Sequence, residues 1–187
     1  MNKLLLISGG VILILGIVLV GSYNNLISKG QAVESQWAQV ETQYQRRFDL
    51  IPNLVKSVEG AQTQERAVFG EIANARANYS GAKSVDDKAK AASQLESALS
   101  RLLVIVESYP QLQSNSTVQQ LMDELSGTEN RISVERRRYN DTVKDYNLST
   151  KTLPSALFAS LFGYREKAYF QATEQAAKAP EVNINSK

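Results

Sequence analysis

The chain has 187 residues, of which 43% are hydrophobic and 21% charged, a composition that fits one folded domain plus an appendage. It contains no cysteine and no histidine, which excludes disulfides, thiol nucleophiles, His-based proton transfer and the usual zinc sites. The net charge of +2 gives no reason to expect nucleic acid as a partner.

An uncharged segment stands near the start of the chain. Its 17 residues, Leu4–Val20, span about 26 Å as a helix, the short end of what crosses a bilayer, and the interfacial aromatic Tyr23 follows. We predict a transmembrane anchor over residues 1–22. A cleaved signal peptide is the alternative, although the apolar core is long for one and no A-x-A site follows it. The free amine and Lys3 lie before the segment and only Lys29 lies soon after it, which favours an extracytoplasmic domain.

The next apolar residues recur every three or four positions, which predicts one long amphipathic helix. Pro52 lies inside this pattern and predicts a kink or break near Leu50–Ile51. Ser80-Gly81 ends the helix. The members of the stripe are Leu26, Val33, Trp37, Val40, Tyr44, Phe48, Ile51, Val55, Val58, Ala61, Val68, Ile72, Ala75 and Tyr79.

Start and stop signals divide the remainder into further helices. Ser84-x-x-Asp87 resembles a capping box and opens a second helix, which Pro110 closes. Ser116-x-x-Gln119 opens a third helix, and a fourth segment runs from Ser155 to about Lys178. No useful strand-like alternation occurs. We therefore predict an all-α fold, in which a transmembrane helix precedes an elongated antiparallel bundle over residues 23–178. Three helices are long, a fourth is shorter, and residues 179–187 form an extended or disordered tail.

Four charged residues lie on or beside the apolar stripes: Arg47, Glu65, Glu129 and Arg136. Charges at core-facing positions are costly unless they are paired, so we interpret them first as inter-helix ion pairs that fix helix register. A cleft for a ligand or peptide is a second interpretation, because converging buried polar groups also mark binding sites. Catalysis by paired carboxylates is a third interpretation, but nothing in the sequence determines the distance between the carboxylates.

Three more features have a structural and a functional interpretation. Arg136–Arg138, with Arg131 one turn earlier, spread around a helix and indicate solvated surface rather than an anion site. Trp37 has the spacing of a packed residue. The apolar stretch Leu153–Tyr164 is interpreted as a helix cap or core plug, with a second membrane contact in the interface as the alternative. Phosphate loops and the G-x-S-x-G, D-x-D-x-D-G and S-x-x-K patterns are absent, which favours a non-enzymatic protein.

Several longer strings occur in a distinctive order over nearly the whole chain. They are Tyr23-Asn24-Asn25-Leu26, Gln45–Val55, Ser108–Leu112, Glu124-Leu125-x-x-Thr128-Glu129-Asn130-x-Ile132, Arg136-x-x-Tyr139-Asn140-Asp141, Tyr146-Asn147, Leu153-Pro154 and Phe162-Gly163-Tyr164. This order resembles the LemA family. The chain departs from the family at Gln64, where a His is frequent, and at Glu135 and Arg138, where small or aromatic residues are common.

The resemblance implies a bacterial membrane-anchored helical bundle without known catalysis and without a cofactor. It also implies that one structural or interaction centre contains the matching residues Arg47, Asp49, Asn53, Glu129 and Arg136, to which we add Glu65. We expect a single-pass protein of the cell membrane that acts as an interaction or scaffold module. Its partners are then membrane lipid around the first helix and another protein or a second copy. A ligand-sensing bundle and a membrane-remodelling protein are the alternatives.

Overall fold

The computed structural model describes residues 3–59 and 66–170, with side chains over 7–58 and 67–170. The regular elements are α1 (Lys3–Glu59), α2 (Arg66–Gly81), α3 (Val85–Ser108), α4 (Pro110–Gln113), α5 (Ser116–Lys151) and α6 (Ser155–Phe162). No strand occurs in these two ranges. The all-α fold class is therefore confirmed.

The chain forms two compact units. The first contains Met1–Gln43 and Arg131–Tyr169, and the second contains Tyr44–Asn130 and Phe170–Lys187. Both α1 and α5 therefore contribute residues to each unit.

In the first unit, α1 and α5 run antiparallel. The ammonium of Lys29 donates a hydrogen bond to the backbone carbonyl of Asp145 at 3.4 Å, and the side-chain amide of Gln36 donates to the carboxylate of Glu135 at 2.6 Å. Residue numbers thus rise along one helix as they fall along the other. The apolar stripes of the two helices face each other and form the core. Burial of each large side chain stabilises this pairing by about 1.5–3 kcal/mol. The buried members are Leu26, Val33, Val40, Ile132, Tyr139, Val143 and Tyr146.

In the second unit, α2 and α3 also run antiparallel. The side-chain amide of Asn78 donates to Gln94 at 3.2 Å, and the guanidinium of Arg101 donates to Glu71 at 2.6 Å. The core of this unit is rich in leucine and in alanine, whose small side chain permits close packing of helices. Its buried members on α2 and α3 include Ile72, Ala75, Ala91, Ala92, Leu95, Ala98, Leu99 and Leu102.

The first predicted helix is wrong in its extent. It was expected to continue to Tyr79, but α1 ends at Glu59 and α2 is a separate helix. The rings of Phe48 and Tyr79 lie 4.9 Å apart, whereas one continuous helix would separate the two residues by about 46 Å. The chain therefore doubles back between α1 and α2. Periodicity did not reveal this reversal because the apolar period continues unchanged on both sides of it.

Pro52 does not end α1, which continues seven residues beyond it. Of the kink or break predicted near Leu50–Ile51, the break is therefore wrong. Proline removes one backbone hydrogen bond and crowds the preceding turn. Here Ile51 and Leu54 are buried on either side of it, and this packing favours a continuous helix across the proline.

Helix ends depend on individual side chains. The cap at Ser84 is confirmed, because its hydroxyl accepts the backbone N–H of Asp87 at 3.0 Å. The cap of α5 is Asn115 rather than Ser116, since the Asn115 side-chain oxygen accepts the backbone N–H of Thr117 at 2.9 Å. The fourth helix was expected to reach Lys178, but it ends at Phe162. The predicted tail, residues 179–187, lies outside the described residues.

We predict that Ser84→Ala lowers the free energy of unfolding by about 1 kcal/mol, because the first turn of α3 loses its cap. Thermal unfolding followed by circular dichroism measures the loss. Ser97→Ala is the matched control, since Ser97 is exposed on the same helix and its hydroxyl donates to the carbonyl of Ser93, four residues back, instead of capping a helix end. The control should be neutral or slightly stabilising. Equal losses in the two variants would contradict the role of Ser84.

Candidate functional site

The N-terminal part of α1 exposes apolar side chains around its whole circumference. Ten large aliphatic residues between Ile7 and Val20 are 39–69% exposed. Within the described residues, α1 is the one helix long and apolar enough to cross a membrane, and 6% of its most apolar window is buried. A helix that is apolar on all sides is normally covered by protein or lipid. The segment Ile7–Val20, called here the apolar segment, is compatible with a membrane anchor.

The short helix α6 packs on α1 directly after the apolar segment. The ring centroid of Tyr23 lies 5.8 Å from that of Phe158 and 5.5 Å from that of Phe162. These distances fall in the range in which tilted aromatic rings attract each other. A hydrogen bond to Tyr23 raises the pKa of Tyr164. Gly163, with a left-handed φ of 72°, ends α6 and lets the chain bring Tyr164 back to Tyr23.

The opposite face of α6 is apolar and exposed. Ser155 and Ala159 are buried, whereas Leu153, Leu157 and Leu161 are 75%, 58% and 76% exposed. Leu157 and Leu161 lie one helical turn apart and therefore form one continuous patch. The exposed leucines Leu157 and Leu161, together with Leu153 just before the helix, are called the α6 surface.

A polar pair and a groove mark the second unit. Arg47 of α1 donates to the carboxylate of Glu129 of α5. The side chain of Arg47 is 8% exposed and that of Glu129 is 41% exposed, so the cation is enclosed while the carboxylate reaches solvent. Both residues line a groove of about 430 Å³, with Glu96, Leu99 and Met122 among its remaining walls. This groove combines charge with apolar surface and has room for a small amphipathic ligand.

The remaining predicted site residues have no described contact with this pair. Asp49 and Asn53 are exposed on α1, and the Asp49 carboxylate accepts a hydrogen bond from Gln45 of the same helix at 2.9 Å. Arg136 is half-buried in the first unit. Glu65 lies outside the described residues. A single centre formed by all six residues therefore stays a prediction.

Trp37 and the arginine run of α5 have the surroundings that the sequence predicts. The indole of Trp37 packs edge-on against the ring of Tyr139, 5.1 Å between centroids, as expected for a packing role. Arg137 and Arg138 are exposed, and Arg138 pairs with Glu135 at 2.8 Å. The arginine run thus spreads around α5 as its helical spacing requires.

Sequence reasoning missed a polar clamp that fixes the chain after α6. The buried side chain of Asn147 donates to the backbone carbonyl of Lys167 and accepts its backbone N–H, both at 2.9 Å. The hydroxyl of Tyr139 donates to the carbonyl of Ala168 at 3.0 Å. The ammonium of Lys167 also pairs with Glu34 at 3.1 Å. Asn147 belongs to the string Tyr146-Asn147, but the sequence alone gave no reason to assign it a partner.

The fold and the apolar segment together define a class of protein: an all-helical chain whose first helix carries an exposed apolar segment. The LemA family profile matches residues 36–184, and the chain belongs to the LemA family. The predicted resemblance is thereby confirmed.

Curated relatives in two organisms are similar to the chain. Magnetosome protein MamQ 2 of Paramagnetospirillum magneticum is 26% identical over 175 residues, which cover 80% of this chain and 64% of the relative. Magnetosome protein MamQ of Magnetospirillum gryphiswaldense is 25% identical over 174 residues, covering 79% and 64% respectively. The chain thus spans 64% of the length of these relatives.

We predict that Glu129→Ala lowers the free energy of unfolding by about 1.5–3 kcal/mol, because the enclosed guanidinium of Arg47 loses its charged hydrogen-bond partner. The loss stays below the 3–5 kcal/mol or so typical of a fully buried pair, since the carboxylate of Glu129 is partly solvated. Urea unfolding of the full chain in detergent measures it.

Glu71→Ala is the matched control for this prediction. It removes the carboxylate from a second inter-helix pair, with Arg101, in which both side chains are exposed. The expected loss is below about 1 kcal/mol. If the two substitutions cost the same, enclosure of Arg47 does not matter to stability.

Proposed function

We propose that the protein is a single-pass, non-enzymatic interaction or scaffold module of a membrane, anchored by the apolar segment of α1. The exposure of Ile7–Val20 carries this proposal. Burial of one large aliphatic side chain is worth about 1.5–3 kcal/mol, and the stability of a whole domain is about 5–15 kcal/mol. Exposure of ten such side chains to water would forgo about 15–30 kcal/mol of burial free energy, at least as much as the stability of a whole domain.

A soluble core helix and a cleaved signal sequence both fit the apolar segment less well than an anchor does. The core helix of a water-soluble domain is mostly buried, whereas this window is 6% buried. A cleaved signal sequence would remove the segment that continues directly into the rest of α1. As an anchor, α1 stays a single continuous helix, and its apolar side chains are surrounded by lipid acyl chains instead of water.

The proposed role beyond the anchor rests on what the chain offers chemically. Without cysteine or histidine, acid–base and nucleophilic designs are restricted to carboxylates, lysines and hydroxyls. The enclosed pair of Arg47 and Glu129 serves a structural purpose, because it links α1 to α5. The relatives are named magnetosome proteins, and a scaffold at a cellular structure is compatible with that name. We place the helical units on the extracytoplasmic side, from the charges flanking the anchor.

A ligand-sensing role is the second candidate, and the groove beside Arg47 and Glu129 favours it. Its volume of about 430 Å³ suits a small molecule. A ligand that binds there would raise the melting temperature of the chain. Loss of that rise in the Arg47→Met variant would support this role over the scaffold.

For the anchor, we predict that Ile14→Lys releases the protein from the membrane fraction or prevents its stable insertion. A lysine at the centre of a spanning helix costs about 2.5–3.5 kcal/mol on insertion scales. Carbonate extraction and intact-mass measurement give the readout. Val104→Lys, at an exposed aliphatic residue of α3, is the control and should remain in the membrane fraction. A mass that lacks the apolar segment in the unmodified protein would identify a signal peptide instead.

For the scaffold role, we predict intermolecular crosslinks from Val134, an exposed aliphatic residue of α5. Val134→Cys creates a single thiol in a chain that has none. A membrane-impermeant, photoactivatable maleimide is applied to intact spheroplasts before irradiation. We expect labelling from outside and a discrete adduct with another membrane protein or a second copy.

Different failures of this experiment contradict different parts of the proposal. Labelling only after lysis would put the helical units on the cytoplasmic side. Efficient labelling without any protein adduct would contradict the scaffold role. Omitting irradiation provides the control for adducts that form without photochemistry.

A further inference from the structure

Exposed apolar side chains outside the apolar segment are concentrated near one place. Among the described residues beyond Val20, the large apolar side chains that are exposed are Val104, Val134, Leu148, Leu153, Leu157, Leu161, Phe162 and Tyr169. Five of these eight fall between Leu148 and Phe162. Scattered single residues of this kind are ordinary on protein surfaces, whereas a contiguous patch indicates a contact.

This patch lies at the end of the apolar segment. Tyr23, whose ring contacts Phe158 and Phe162, follows Val20 by three residues, or about 5 Å along the helix axis. Tyrosine at the end of an apolar helix is typical of the level of the lipid headgroups. If α1 spans a bilayer, α6 is therefore held at the boundary between headgroups and acyl chains.

We propose that α6 is a second membrane contact, which lies in the plane of the interface and inserts the α6 surface among the lipids. This inference rests on the proposed function, because it requires α1 to be the anchor. It adds a lipid-binding surface that does not depend on spanning the bilayer.

The dimensions and chemistry of α6 fit an in-plane helix. Its eight residues extend about 12 Å, far short of the 30 Å or so of a hydrocarbon core. One face is fixed to the protein by Ser155, Ala159 and the ring contacts to Tyr23, and the opposite face presents leucines. An in-plane helix of this type buries its apolar face about 5–10 Å into the headgroup and acyl boundary.

Charges at both ends of α6 suit the same position. Lys151 precedes the helix, and Arg165 and Lys167 follow it. Lys151 and Arg165 are exposed, so their cationic groups can reach lipid phosphates while the leucines enter the apolar layer. Lys151 also pairs with Glu166 at 3.0 Å, in a bridge whose two side chains are both exposed. Lipid is favoured over a second copy because the ring contacts to Tyr23 hold α6 at the end of the apolar segment, which lipid covers under the proposed function.

The absence of native cysteines permits a direct measurement. Leu157→Cys and Leu161→Cys, each labelled with an environment-sensitive nitrobenzoxadiazole probe, are placed in the full chain and reconstituted in phosphatidylcholine vesicles. Some vesicles contain lipids brominated near the carbonyl end of the acyl chain. We expect the probe at both positions to emit at a shorter wavelength than the same probe does in aqueous buffer. We also expect loss of most of the fluorescence with brominated lipid.

Two labelled control variants calibrate this result. Ile14→Cys reports on the apolar segment and should be quenched most by lipids brominated near the chain end. Val134→Cys, exposed and in the same unit, should not be quenched. Its neighbour Glu135 is bonded to Gln36, about 20 Å beyond Tyr23 along α1.

The outcomes separate the inference from the function on which it rests. An unquenched probe at position 14 overturns the anchor itself. Quenching at 14 without quenching at 157 and 161 overturns the inference and leaves the anchor standing. A short-wavelength shift at 157 and 161 without lipid quenching also overturns it, because protein would then cover α6.

Discussion

The exposed apolar segment of α1 is the constraint on which the rest of the molecule depends. A helix that satisfies its own backbone hydrogen bonds is one of the few structures stable in lipid. In water, the same side chains would remain uncovered, since 6% of the window is buried. The aliphatic stripe that follows, from Leu26 onwards, belongs to the same helix but faces only one side. Thus one helix changes from all-round to one-sided apolarity, and this change marks where the apolar segment gives way to the protein core.

Polar contacts specify how the helices beyond the apolar segment pair with each other. In the first unit, Gln36 contacts Glu135, and Asn147 holds the backbone of Lys167 with two hydrogen bonds. Apolar stripes alone tolerate slippage by a turn, because leucine and valine pack in several registers. Hydrogen bonds between enclosed polar groups do not tolerate such slippage, since a shifted register leaves the polar groups without partners. The clamp at Asn147 also keeps the chain after α6 on α5, and so supports the position of α6.

Parts of the fold could be predicted because they depend on neighbouring residues. The cap at Ser84 involves Asp87 three positions away, and the buried stripe of α1 repeats with the helical period. The reversal between α1 and α2 was missed, because Phe48 and Tyr79 meet across a sequence gap over which the period does not change. The end of α6 was missed for a similar reason. Gly163 is a weak local signal, and the contacts that fix Tyr164 come from Tyr23 near the opposite end of the chain.

The candidate sites were also predictable in part: the sequence identified their residues but not the contacts between them. The resemblance to the LemA family identified Arg47, Glu129 and Asn147 as members of motifs, but motif membership does not say which side chains meet. The structure joins Arg47 to Glu129 and places Asp49 and Asn53 in solvent. The apolar character of Leu153–Tyr164 was equally visible in the sequence. Whether it was a core plug or a surface depended on which face met Tyr23, and that is a long-range contact.

The sequence by itself determined the helical class, the apolar segment and the family, because composition, period and local motifs are properties of neighbouring residues. Tertiary structure decided where helices reverse, which charges pair and which face of α6 remains exposed. Each of these depends on contacts between residues far apart in the chain, whose energies no local pattern contains. The apolar segment belongs to the first group, and the exposed leucines of α6 belong to the second.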